Sequence, residues 1–296
     1  MLFSRPDGVR VRGDSANRRI LPFLMPTRTE AMVQLEQKID VTEALRYLDR
    51  VNSDREERRV SLFHVLLCAM ARAQHLRPKM NRFIVGQRLY QRHKLEYSFG
   101  VKKKLDDEAI LTAVKLPFEP DDTIDAVIDR IDAAISTGRA EKKTQSEKEM
   151  RLVASLPRFL TRFVVWGLRV LDYFNLMPAS MIAVDELYCS MFVANLGSVG
   201  LEAPFHHLYN WGTAPLFCSI GKVESTPVVD ARGGIVAREL LTIRWSFDER
   251  VADGFYCARS LDLFKDFVSN PELLEKEPGE AKSARDPEKT KAISAG

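Results

Sequence analysis

The best strand in the chain, ELLTIRWSFD over residues 239–248, runs straight into a polar corner, Glu249-Arg250-Val251-Ala252-Asp253. Gly254 follows, and the spacing predicts a helix to about Asn270 that buries Phe255, Ala258, Leu261, Phe264 and Val268. A strand that hands directly to an amphipathic helix must bury one face of each in a shared core, which restricts the chain to helix-on-sheet architectures. Side chains at such a corner project from rigid elements, where sites are commonly built.

The rest of the chain repeats this mixture without an internal repeat. MVQLEQKID, residues 32–40, places Val33, Leu35 and Ile39 on one face of a half-buried strand, and Asp40 with Glu43 predicts a capping box for the next helix. SLFHVLLCAMARAQ, residues 61–74, is a strongly apolar helix that stops before Arg77-Pro78. Residues 81–102 read as strand, turn and strand, and residues 109–117 as another strand. Residues 121–136 form an amphipathic helix with Ile124, Val127, Ile128, Ile131 and Ile135 at helical spacing. A second strand that opens a polar loop is Phe192-Val193-Ala194-Asn195-Leu196-Gly197-Ser198-Val199-Gly200. The fold class this mixture predicts is an α/β sandwich with one mainly two-layered core.

Composition narrows the partners. The 296 residues are 45% hydrophobic and 29% charged, with 44 Lys plus Arg against 41 Asp plus Glu, a net charge of +3. Such a balance fills a core and gives no reason to expect nucleic acid as a partner. Cys68, Cys189, Cys218 and Cys257 lack metal-site spacing and read as reduced, buried thiols, with no metal. The polar start argues against a signal peptide, so the expected location is cytoplasmic. Residues 1–17 read as a flexible, Arg-rich segment and 276–296 as a solvated tail.

Here the sequence resembles the catalytic (E2) domain of the 2-oxoacid dehydrogenase acyltransferases, which shares its fold with chloramphenicol acetyltransferase, and the resemblance implies an α/β mixed-sheet sandwich with flanking helices. That family carries Asp-His-Arg-Val-x-Asp-Gly at this strand end, matched by Asp248-Glu249-Arg250-Val251-Ala252-Asp253-Gly254, and Phe-Thr-x-Ser-Asn-x-Gly at the earlier strand. RRILPFLMPTRTE, VSLFHVLLCAMARA, the NRFIVGQRLY–SFGVKK hairpin and the terminal PELL follow in the family's order. The resemblance spans residues 18–275 and fits worst over a helical insertion at about 138–188.

The resemblance implies thioester exchange in a channel between the subunits of a homotrimer, alone or within a larger cage. A strand-end His takes a thiol proton, and a hydroxyl from the neighbouring subunit stabilises the tetrahedral oxyanion. This chain has Glu249 at the His position and Ala194 at the hydroxyl position. A free Glu has a pKa of about 4.3 against about 8.5 for a thiol, so it is a poor base unless burial raises it. Losing one oxyanion donor costs about 100- to 1000-fold in rate. Ser198 or Ser190 is available as a substitute hydroxyl, and His206 or His207 as a substitute base. Adjacent histidines among Phe205, Tyr209 and Trp211 equally suit packing. Asn195, Ser198 and Gly254 are expected along the substrate channel. Asp253 has two readings, a catalytic carboxylate beside Glu249 or, chiefly, the acceptor of Arg18 or Arg19 that holds the corner, and Arg250 reads as an ion-pair partner. His64 reads as a core histidine, His75 and His93 as surface residues.

The most unusual segment runs from Leu156 to Phe174, LPRFLTRFVVWGLRVLDYF. Its charges, Arg158, Arg162, Arg169 and Asp172, argue against a membrane span. Two readings stay open, a helix in a subunit interface or one peripheral to a membrane surface. No lipoyl attachment site is present, so an acyl group is expected to arrive as a CoA thioester or on a lipoyl-bearing protein in trans. The functional readings are therefore an acyltransferase working between CoA and a small acceptor, a catalytically inactive trimeric scaffold or small-molecule binder, and a peripheral protein acting on lipid acyl groups.

Overall fold

The computed structural model describes residues 4–56, 58–102, 111–139 and 153–276. Its centre is a six-stranded mixed sheet built from β2 (Met32–Asp40), β5 (Leu95–Lys102), β6 (Leu111–Phe118), β7 (Met191–Asn195), β8 (Leu216–Val229) and β9 (Ile235–Asp248). The order across the sheet is β2-β9-β8-β7-β5-β6. β7 runs parallel to both β5 and β8, and the other pairs are antiparallel. A second sheet of β1 (Gly8–Arg10), β3 (Arg82–Val85) and β4 (Arg88–Arg92) is ordered β1-β4-β3.

One face of the large sheet is apolar because its strands alternate. Leu216, Cys218 and Ile220 of β8 and Leu241, Ile243, Trp245 and Phe247 of β9 point into one core. Helices α2 (Thr42–Asn52), α3 (Leu62–Leu76), α4 (Ile124–Arg139) and α7 (Gly254–Ser269) supply the other side. Each fully buried Leu, Val, Ile or Phe there contributes about 1.5–3 kcal/mol. α3 is buried without interruption from His64 to Gln74. It starts on a reciprocal cap: Ser61 Oγ accepts from the His64 N–H, and His64 Nδ1 accepts from the Ser61 N–H at 3.2 Å.

Several expectations need correction. Residues 81–102 form three strands, β3, β4 and β5, because the turn at Gly86-Gln87 lets both residues take positive φ. The helix after β2 begins at Thr42 with Val41 as its cap and no capping box; Asp40 instead accepts from the Thr42 N–H, and Glu43 pairs with Arg46. α7 buries Cys257, Ser260, Phe264, Phe267 and Val268, while Phe255 is 74% exposed and Ala258 lies outside. The helix is therefore rotated from the stripe that apolar spacing suggested, and polar Ser260 takes a core position by donating to the Tyr256 carbonyl.

The N-terminal segment is also folded rather than flexible over residues 4–17. β1 pairs with β4, and buried Arg5 reaches Asp7 and Asp172, each at 2.8 Å. Burial disfavours the Arg5 charge, yet the two carboxylates hold it above its ordinary range. The segment 277–296 lies outside the described residues. The region expected to be a helical insertion contains α5 (Arg158–Tyr173) and α6 (Ala179–Val184).

Candidate active site

Asp248 is the last residue of β9, and its neighbour Arg250 folds back on it. Arg250 donates from Nε to Oδ1 at 2.8 Å and from Nη2 to Oδ2 at 2.6 Å, with both side chains almost fully buried. Arg250 Nη1 also donates to the Met25 carbonyl at 2.6 Å, tying the corner to the end of α1 (Ala16–Leu24). A planar fork that satisfies a buried carboxylate in two bonds leaves the backbone of the corner little freedom.

Between these two residues Glu249 points outward. Its backbone N–H donates to the Ala31 carbonyl at 3.0 Å, while its side chain is exposed. Arg18 fixes the other edge of the corner. It donates to the carbonyl of Arg250 at 3.1 Å and of Glu249 at 3.5 Å, and its guanidinium lies 3.6 Å from Asp253. Asp253 caps α7, accepting from the Tyr256 N–H at 2.8 Å. That N–H, with help from Arg18, holds its carboxyl below the usual range. The geometry brings Glu249, Arg250, Asp253, Gly254 and Arg18 together at one corner.

The histidine pair sits elsewhere on the outer face of the sheet. The His206 ring stacks on Phe217 at 3.8 Å and on His207 at 4.7 Å. Its carbonyl accepts from Ser246 and, at 3.1 Å, from Gln34. Burial lowers the pKa of His206, and its Nδ1 engages the His207 carbonyl at 2.7 Å. His207 is more exposed, with Nδ1 at 3.2 Å from the Leu208 carbonyl. These are packing and backbone-pinning contacts. His64, as expected, is a buried core residue. His93 is exposed, but His75 is half-buried and contacts the Phe118 carbonyl at 2.9 Å, so it is not a plain surface residue.

In the second motif, Asn195 and Ser198 serve the loop itself. Asn195 Oδ1 accepts from the Ser198 N–H at 3.3 Å, and Ser198 Oγ donates to the Asn195 carbonyl at 2.8 Å. Gly197 is required here, because a Cβ would stand 2.2 Å from the Gly221 carbonyl oxygen. Ser190 is fully buried, and its hydroxyl accepts from the Glu96 N–H at 2.9 Å, so it supports the sheet.

Two features escaped sequence reasoning. Ser219 of β8 lies directly opposite Ala194 of β7, is 1% exposed, and its hydroxyl has no hydrogen-bond partner among the described residues. Only the strand register reveals that neighbour. The second is a cleft of about 520 Å³ beside the corner, lined by Arg10, Arg12, Arg18, Arg19 and Arg88 with Asp14 as the sole acid. Its signal was the arginine-rich opening, but the fold was needed to gather those charges into one concavity. No group of His, Cys, Asp or Glu suited to a metal occurs among the described residues. All four cysteines are free and buried, and burial pushes Cys68 and Cys257 up to about 12.

Comparison with known proteins agrees with this architecture. Residues 179–275, which include both motifs, match the family model "2-oxoacid dehydrogenases acyltransferase (catalytic domain)". No curated protein sequence matches the chain. Among solved structures, it is similar to a probable dihydrolipoamide acetyltransferase from Listeria monocytogenes, with 15% identity over 88% of this chain and 95% of that one, at a TM-score of 0.59. A truncated catalytic core of the 2-oxoacid dehydrogenase multienzyme complex from Thermoplasma acidophilum gives 14% identity over 89% and 99%, with a TM-score of 0.56. A chloramphenicol acetyltransferase gives 11% identity over 89% and 98%, with a TM-score of 0.53. Residues 179–275 thus carry the signature of the 2-oxoacid dehydrogenase acyltransferase catalytic-domain family, on a chain with the mixed-sheet fold of the E2 cores and chloramphenicol acetyltransferase.

Proposed function

We propose that the protein is an acyltransferase that moves an acyl group between a CoA thioester and a small nucleophilic acceptor, with Glu249 as the base. The observation that carries this reading is the corner itself: Asp248, Arg250, Arg18 and Asp253 are all spent on holding the backbone, and Glu249 alone is left projecting. The arginine-lined cleft next to it suits the phosphates of CoA.

In the proposed reaction the Glu249 carboxylate takes the proton of the acceptor's thiol or hydroxyl. The freed nucleophile attacks the thioester carbonyl carbon, and the C=O electron pair moves to oxygen. Collapse of that tetrahedral oxyanion re-forms the carbonyl and breaks the C–S bond, and the departing CoA thiolate recovers the proton from Glu249. The oxyanion needs a donor, and we assign that part to the Ser219 hydroxyl, which lies opposite Ala194 and has no hydrogen-bond partner among the described residues.

A solvated carboxylate lies about 4 pK units below a thiol, a mismatch worth about 6 kcal/mol. Turnover in this reading takes place where a second subunit covers the exposed Glu249 side chain and excludes water from it. Ile20, Phe23, Leu24 and Phe255, all more than half exposed, offer apolar surface for that homotrimer. A lipoyl-bearing protein remains the alternative acyl donor in trans.

Ala194, together with the structural engagement of Ser190 and Ser198, favours a second reading, an inactive trimeric scaffold or small-molecule binder on the same fold. Acetyl-CoA turnover by the purified chain separates the two. The enzyme reading expects turnover that Glu249→Gln abolishes and Ser219→Ala reduces about 100-fold. An assembled but inert wild-type protein refutes it and leaves the scaffold.

A further inference from the structure

The acyltransferase fold leaves α5 without a role. This helix buries none of its residues fully. Its inner face is attached lightly: Leu168 packs against the small cluster of Met177, Ile182 and Tyr188, and Tyr173 meets Gln87 at 3.0 Å. Its outer face carries Phe159, Phe163 and Trp166, which are 76%, 65% and 58% exposed, followed by Phe174 at 46%. At 100° per residue these four rings fall within one narrow outward stripe. The Phe163 and Trp166 rings lie 5.8 Å apart and form the middle of this aromatic ridge.

Charge on the helix is distributed to match. Arg158, Arg162 and Arg169 are exposed and fall together along one flank of the ridge, where none has an ion-pair partner among the described residues. The one acid of the helix, Asp172, is turned inward and bound to Arg5 at 2.8 Å. At the C-terminal end, Tyr173 borders the arginine cleft. The exposed surface is therefore aromatic at its centre and purely cationic at its edge.

We infer that α5 is a membrane-surface anchor that lies in the plane of an anionic bilayer, ridge toward the acyl chains and arginines at the lipid phosphates. An aromatic stripe with basic residues on its border is the chemistry of interfacial helices. Self-pairing through the same ridge fits poorly. It would set the three arginines of one copy against those of another, with no exposed acid on either helix to offset them. No helix among the described residues is long and apolar enough to cross a membrane, and in-plane docking does not need one.

The test is flotation of the full chain with vesicles of phosphatidylcholine alone and of phosphatidylcholine mixed with phosphatidylglycerol, with tryptophan emission recorded alongside. The chain is expected to float with the mixed vesicles only, to be released by salt, and to shift its emission to the blue as Trp166 enters the interface. Arg158→Glu, Arg162→Glu and Arg169→Glu each lower partitioning at least about fivefold. The double variant Phe163→Ser/Trp166→Ser loses flotation, while its thermal midpoint, measured as a control, stays near that of the parent because both side chains are exposed. No flotation with mixed vesicles, flotation that these variants leave unchanged, or a loss of self-association in the double variant without any lipid binding overturns the inference. The last outcome would assign the ridge to a second copy.

Discussion

Asp248 and Arg250, two residues apart at the end of β9, form a bidentate ion pair in which each side chain is 1% exposed. The pair converts a solvent-facing loop into a fixed corner, and the residue it frames, Glu249, inherits a defined direction. Breaking one partner strands a buried charge. Arg250→Met is expected to destabilise the protein by about 3–5 kcal/mol in urea unfolding, and adding Asp248→Leu should recover much of that loss.

The outer brace is weaker because it is wetter. Asp253→Ala removes the cap of α7 and the partner of Arg18, and should cost about 1 kcal/mol. The Asp253 carboxyl is held low in the folded state, so its contribution is complete above the ordinary carboxylate pKa and fades as pH falls through the lower, folded value. Urea midpoints measured at descending acidic pH should converge for parent and variant.

His64 gives a second pH dependence with a separate window. Burial lowers its pKa below 6.5, and its Nδ1 accepts the Ser61 N–H only when that nitrogen carries no proton. The unfolded chain therefore binds the proton first as pH drops below about 6.5. Stability should decline from there until the folded value is reached, and His64→Gln should flatten this part of the urea-midpoint profile.

The loop after β7 tolerates no side chain at its first glycine. Gly197→Ala places a methyl against the Gly221 carbonyl and should cost about 1–3 kcal/mol, read as a lower thermal midpoint. Gly200→Ala meets open space and is strained only through its φ of 78°. It should therefore be the milder change.

How far the sequence spoke depended on whether a contact is local. The β9 corner and the apolar α3 follow from residues read in order, and both are present. The long-range Arg18–Asp253 brace was expected only through the family resemblance, which left Arg18 and Arg19 open, and the structure pairs Arg18. The phase of α7 was misread because Phe255 is apolar yet faces out, and spacing alone does not distinguish a core face from a surface kept for association. The N-terminal segment looked unfit for a core because its ordering depends on Asp172, 167 positions away from Arg5. Ser219 became visible only when β7 and β8 were placed in register, and the His206 stack only when Phe217 was beneath it.

The most direct test of the central claim is acetyl transfer from acetyl-CoA to dihydrolipoamide by the double variant Glu249→His/Ala194→Ser, with the parent assayed alongside. If Glu249 occupies the base position of a usable channel, the variant should gain at least about 100-fold over the parent while keeping its assembly state. A folded, assembled variant with no activity above the parent would show that residue 249 does not face a reacting thiol.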